Sequence, residues 1–264
     1  MDTVEPIGIQ EKRGIAGSTI KMIAIITMLI DHTAAVVLKR MIVEQNLSIA
    51  MTMGPMEPIV SLYYVMRLIG RLGFPIFIFL LTEGLEHTRN QWKYLLRLFL
   101  FALVSEIPFD FAFNLSQEQI ASGQILEFTY QNVFFTLTIG LAAIIGIKAI
   151  QGTELQPVLK VLLNIGITIV GMALGFLLQT DYDAIGVLAI VMMYLLRQRK
   201  TLAVFTTCLV LMFSSSLEIS AFLVLLPIGT YNGKRGWNLK WVFYVFYPAH
   251  LLILWLICFG MGIA

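Results

Sequence analysis

The chain has 264 residues, of which 58% are hydrophobic and 13% charged, and its mean hydropathy is +0.85. A water-soluble domain, in which about a quarter of the residues carry charge, has no place for that much apolar surface, so most of this chain is solvated by lipid. The net charge of +2, without a long basic run, leaves nucleic-acid binding no electrostatic footprint.

The apolar runs predict an all-α transmembrane helical bundle of about nine spans, with eight or ten as alternatives. In chain order they cover 19–38, 59–86, 94–113, 132–150, 158–178, 184–196, 202–216, 217–230 and 241–262. Most reach the 18 or more residues that roughly 30 Å of hydrocarbon requires of a helix rising about 1.5 Å per residue. The sixth to eighth are short and read as tilted helices, as a re-entrant pair, or as another parsing of the same apolar mass. No linker, low-complexity tract or internal repeat divides the chain. It therefore reads as an N-terminal segment, 1–18, and one transmembrane domain, 19–264. Lys12 and Arg13 before an apolar run, with Ala34-Ala35 beyond, imitate a signal peptide. The run resumes after Asp31-His32 and continues to Leu38, which suits a retained span better.

Lys and Arg in alternate connections fix the expected orientation. One set of connections holds Lys12, Arg13 and Lys21; Arg89 and Lys93; Lys148 and Lys160; Arg197, Arg199 and Lys200; and Lys234, Arg235 and Lys240. The other set holds only Lys39 and Arg40, and its 114–131 connection carries Glu118 and Glu127 with no basic residue. The N-terminus is accordingly expected in the cytoplasm of a multi-pass protein of the cytoplasmic membrane.

Charges at membrane depth cost about 2.5–3.5 kcal/mol each on insertion scales and mark functional candidates. Lys21 and His32 stand eleven residues apart, almost three helical turns, so both face one interior cleft, Lys21 at its cytoplasmic end. His32 reads as a general base or as a polar bridge between helices. Asp31 points about 100° away from it and is expected to act through another helix. Arg67 and Arg71, one turn apart on the second span, form a clamp for Asp31 or a substrate anion, the alternative being that Arg67 snorkels to the interface. Pro75 is expected to kink that helix below them.

His87, Arg89 and Lys93, at the cytoplasmic turn that follows, suit either the phosphates of a soluble cosubstrate or a purely topogenic role. Glu106 and Asp110, around Pro108, could take protons, hold an amine or, the reading favoured here, balance Arg67 and Arg71. His250 reads mainly as a packing or pore-lining residue. No Gly-x-Ser-x-Gly, His-Glu-x-x-His or Walker motif is present. Cys208 and Cys258 lie in apolar segments, and His32, His87 and His250 are spread over both faces, so no metal site is expected.

An ordered series of segments resembles the TraX family over nearly the whole chain. It runs from Ile20-Lys21 to Asp31-His32, then Gly70-Arg71-Leu72-Gly73-Phe74-Pro75-Ile76-Phe77, Glu83-Gly84 with His87-Thr88-Arg89, and Tyr94-Leu95-Leu96-Arg97. It continues with Ser105-Glu106-Ile107-Pro108-Phe109-Asp110, Asn132-Val133-Phe134-Phe135-Thr136-Leu137, Asp181-Tyr182-Asp183 with Gly186, and Tyr247-Pro248-Ala249-His250. The family's namesake acetylates the N-terminal amine of a conjugative pilin, which implies an acyltransferase using acetyl-CoA. The basic residue followed by ten residues and a histidine, here Lys21 and His32, also looks like the signature of membrane acyltransferases that modify surface polysaccharides. In that wider group the histidine is catalytic and an arginine pair supports the acyl donor. Arg67 and Arg71 depart from the pattern, with three intervening residues instead of two.

The resemblance implies acetyl-CoA entering from the cytoplasm with its phosphates near Lys21, His87, Arg89 and Lys93, and with Arg67 as a further contact. His32, positioned with help from Asp31, would be the base, and Arg71 would stabilise the oxyanion. The acceptor would be a pilin-like peptide, a glycan or a small amine, and assembly as a homo-oligomer stays open. The alternative from another class is a small proton-coupled transporter using Asp31, His32, Glu106 and Asp110 as a relay.

Overall fold

The computed structural model describes residues 14–50, 56–238 and 240–263; Lys12, Arg13 and the side chain of Lys240 lie outside that description. The described residues form helices and no strands. The first long element is α1, Gly17–His32, which continues through a π-helical turn, Thr33–Leu38, into α2, Lys39–Glu44. Then follow α3, Pro58–Gly70, and α4, Gly73–His87, two halves of one apolar rod. Next is α5, Gln91–Phe109, ending in a second π turn, Asp110–Asn114, and a surface helix α6, Gln117–Ala121. The long helices α7, Val133–Gln151, and α8, Pro157–Leu177, precede the short α9, Asp183–Leu195, and α10, Lys200–Leu211. A 3-10 segment, Ser216–Val224, leads into α11, Leu225–Gly229, and α12, Lys240–Gly260, closes the chain.

Local chemistry sets these limits. Asn90 and Asn132 cap α5 and α7 by accepting backbone N–H groups of Lys93 and Phe134, and Pro157 occupies the first turn of α8. The rod 58–87 breaks at Arg71-Leu72, above the expected kink at Pro75. Pro75 itself dictates that place, because its ring clashes with the carbonyl four residues earlier, that of Arg71, and offers it no N–H. Arg71 is thereby set at a discontinuity, with a side chain turned inward.

Among the described residues, five helical stretches are long and apolar enough to cross a bilayer: 17–44, 58–87, 133–151, 157–177 and 241–260. α5 carries Lys93, Arg97 and Glu106, and 183–195, 200–211 and 216–229 are apolar but short. α7 is the hub, packed on α5, α8 and α9, while α1 is flanked by α3 and α4. Side chains such as Ile20, Ile78, Leu141, Ile144 and Ile190 are wholly buried between helices. α8 instead turns Val158, Leu162, Ile169 and Phe176 outward, an apolar surface that only lipid can solvate.

Contacts between connections define two ends. At the first, Ile15 and Gly17 donate to the carbonyls of Thr230 and Lys234, at 2.9 and 2.8 Å. Glu86 pairs there with Lys148 and Arg197, and Lys200 sits 4.9 Å over the Tyr231 ring. This is the basic end. At the opposite end Gln131 N–H donates to Gln179 O at 3.1 Å, and Arg40 donates to Phe111 O at 3.3 Å. α9 and α10, with 13 and 12 residues, span only about 18–20 Å, so their far ends and the turns attached to them are recessed between the longer helices.

Candidate functional site

A cavity of about 1130 Å³ runs through the bundle. Its lining begins with Gly17, Lys21, His87, Arg97 and Arg235 near the basic end, passes Asp31, His32, Arg71 and Tyr182, and ends with Lys39, Asn114 and Tyr130. Lys21 and His32 both line it, as their spacing on one helical face requires.

His32 ends α1 at the π turn and lies against α12. Its Nδ1 is 2.6 Å from Nε2 of His250, and the two rings are near-parallel, 6° apart with centroids separated by 4.9 Å. His250 is 4% exposed, and its Nδ1 is 2.7 Å from the carbonyl oxygen of Phe246, one turn earlier. A carbonyl can only accept, so His250 Nδ1 carries a proton, and in the neutral ring Nε2 holds a lone pair. His32 Nδ1–H is then the donor to His250, and the lone pair of His32 falls on Nε2. That atom has no partner among the described residues and belongs to a ring that lines the cavity. His250 thus acts on His32, which corrects two expectations: the histidine of the last span does more than pack, and the neighbour that orients His32 is not Asp31.

Asp31 turns to the other side of α1, as its position around the helix dictates. It accepts from Arg67 Nη1 at 2.6 Å and from Arg71 Nη2 at 2.7 Å. Arg67 is therefore held deep in the bundle, away from the interface and from any phosphate at the basic end. Arg71 makes three further bonds, to Glu218 Oε1 at 3.0 Å, Tyr182 Oη at 3.5 Å and the Arg67 carbonyl at 3.3 Å. Four of its five N–H groups are thereby occupied. Gly70 permits this cluster, since a Cβ there would stand 2.1 Å from Asp31 Oδ1.

The carboxylates expected to balance the arginines lie elsewhere. Glu106 is hydrogen-bonded to the amide of Asn132, the cap of α7. Asp110 accepts from Asn114 Nδ2 at 2.7 Å and from the Glu127 N–H at 2.9 Å. Glu127 itself, in the connecting loop, accepts from Thr129, and that hydrogen bond holds its carboxyl below the ordinary value. Both Glu106 and Asp110 fasten helix ends; the second counter-charge for Arg71 is Glu218, which is fully buried. Sequence reading passed over Glu218 because it sits in a short, otherwise apolar segment. The available signal was the residue type itself: a carboxylate in an apolar segment has to find a cation at that depth.

At the basic end the cavity is lined by Lys21, His87, Arg97 and Arg235. Nε of Arg97 is buried with no hydrogen-bond partner. Arg89 and Lys93 do not line the cavity: Arg89 borders a separate shallow depression with Trp92 and Lys148, and Lys93 is exposed. Among the described residues no group of His, Cys, Asp and Glu could hold a metal ion.

Fold and site together define a helical membrane protein built around a charged cavity, with an oriented histidine partway along it. Residues 16–258 match the family described as TraX protein, and the chain belongs to that family. It is also 29% identical over 252 residues to the probable fimbrial assembly protein FimC, serogroup H1, of Dichelobacter nodosus, covering 89% of this chain and 92% of that protein. No solved structure matches the chain.

Proposed function

We propose that this protein is a membrane acyltransferase that carries an acetyl group from cytoplasmic acetyl-CoA to an amine or hydroxyl acceptor. The observation that carries the reading is the chain from Phe246 O through His250 to His32, which leaves a lone pair on His32 Nε2 in a cavity continuous with the basic end. A histidine so oriented takes a proton from an acceptor N–H or O–H without first changing tautomer.

Acetyl-CoA supplies an acyl group activated as a thioester. Its phosphates would meet Lys21, His87, Arg97 and Arg235, the four basic side chains that line that end of the cavity. The side of the basic residues supports nine crossings with the N-terminus in the cytoplasm and the C-terminus outside. The acceptor then approaches from the opposite mouth, past Asn114 and Tyr130. A pilin or fimbrial peptide is the acceptor that the relative's name favours.

A carrier is the competing reading, because the cavity has lining residues near both ends. A relay through Asp31, His32, Glu106 and Asp110 has little support, since these groups lie in four separate hydrogen-bond clusters. The deciding experiment uses purified protein in lipid nanodiscs, measuring acetyl-CoA binding and thiol release for the wild type and His32→Ala. Binding and turnover by the wild type, with turnover lost in His32→Ala, is the expected result. Failure to bind CoA species removes the enzyme reading; normal turnover by His32→Ala removes only the assignment of the base.

A further inference from the structure

The Asp181-Tyr182-Asp183 turn between α8 and α9 is built with unusual constraint. Gln179 and Asp183, neither of them glycine, adopt positive φ of 48° and 53°. The turn is fixed by Asp183 N–H to Thr180 O at 2.7 Å and by the Thr136–Thr180 hydroxyl pair at 2.9 Å. Gly186 lies so close that a Cβ there would come within 2.4 Å of Tyr182 Cβ. The Tyr182 ring stacks on Phe74, with centroids 3.6 Å apart and planes 12° apart. Backbone and ring are therefore both immobilised, and the phenol lines the cavity.

The phenol oxygen accepts from Arg71 Nη1, while its own O–H has no acceptor among the described residues. Arg71 cannot readily turn to a ligand, because Asp31, Glu218, Tyr182 and the Arg67 carbonyl take four of its five N–H groups. Its charge reaches the cavity through Tyr182. Donation from a guanidinium withdraws electron density from the phenol oxygen and makes the remaining O–H a stronger donor. Other tyrosines are less suited. Tyr130 spends its O–H on the carbonyl of Asp181 at 3.1 Å, and the Tyr247 oxygen is buried out of reach of a ligand.

We infer that Tyr182 Oη is the oxyanion donor of the acyl transfer, a role that the sequence had assigned to Arg71. The inference rests on the acyltransferase reading above. The acceptor lone pair attacks the thioester carbonyl carbon, forming a C–N or C–O bond. The carbonyl π pair moves onto oxygen, where the Tyr182 O–H donates to it. His32 Nε2 takes the acceptor's proton. On collapse the pair returns, the C–S bond breaks, and the leaving thiolate regains that proton from His32. Acetylated acceptor and free thiol are the products, and both side chains end as they began.

Tyr182→Phe removes one oxygen and keeps the stack on Phe74. The test measures acetyl-CoA affinity and thiol release in nanodiscs, with hydroxylamine as a small nucleophile. Loss of one oxyanion donor lowers kcat on the order of 100-fold. KM and acetyl-CoA affinity should stay at wild-type values, because the bond forms only as charge develops. Wild-type kcat in Tyr182→Phe overturns the proposal and leaves the acyltransferase reading intact. Lost acetyl-CoA affinity in that variant also overturns it, as does a kcat loss that follows Tyr247→Phe instead. A wild type that releases no thiol overturns both.

Discussion

At the scale of the residue, the pair His32–His250 shows how a hydrogen bond 218 positions apart in sequence sets the state of a base. His250→Leu removes the acceptor for His32 Nδ1–H and frees the ring to adopt either tautomer. We expect kcat to fall at least about 100-fold, the usual worth of positioned acid–base groups, with acetyl-CoA affinity retained. His250→Gln, whose amide oxygen can still accept, should recover part of that loss. Asp31 illustrates a different burden, since its carboxylate serves two guanidiniums in a nearly dry environment. Asp31→Ala should lower the unfolding free energy by about 3–5 kcal/mol, read as a lower denaturation midpoint in detergent, because it strands buried charge. Residue types at membrane depth flagged Asp31, His32, Arg67 and Arg71 as candidates. Their partners Glu218 and Tyr182 come from other elements, so spacing along one helix could not name them.

At the scale of the element, small residues decide how closely helices meet, since lipid supplies no hydrophobic force between them. Gly70 lets α3 approach α1 at Asp31, and a Cβ there would sit 2.3 Å from that residue's own Cβ. Gly70→Ala should cost about 1–3 kcal/mol despite the better helix propensity of alanine, with most activity lost, because α1 and α3 must separate at the ion cluster. Gly166 on α8 has nothing within 4 Å of its Cβ position, so Gly166→Ala should leave both stability and activity near wild type in the same assays. The break at Arg71 was legible only in part: a proline in an apolar rod announces a distortion. Its side-chain consequence, an arginine turned inward, depends on what packs opposite.

At the scale of the whole molecule, the basic residues gather at one end because the short connections that carry them are brought together there, around Glu86, Tyr231 and the start of α1. The native cysteines, Cys208 and Cys258, are both wholly buried, which makes the chain a ready background for surface labelling. With the N-terminus in the cytoplasm, Ser122→Cys should react with an impermeant maleimide in intact spheroplasts, and Thr153→Cys only after permeabilisation. The reverse pattern would overturn the proposed orientation. Composition and apolar length by themselves determined a helical membrane protein, and helical spacing placed Lys21 and His32 on one face, because these follow from the cost of bare charge and bare backbone in lipid. Tertiary structure alone decided which charges pair, that Glu106 and Asp110 hold helix ends while Glu218 holds Arg71, and that His250 fixes the lone pair of His32. Those choices depend on which side chains meet across helices, and a one-dimensional pattern carries the need for a partner but not its address.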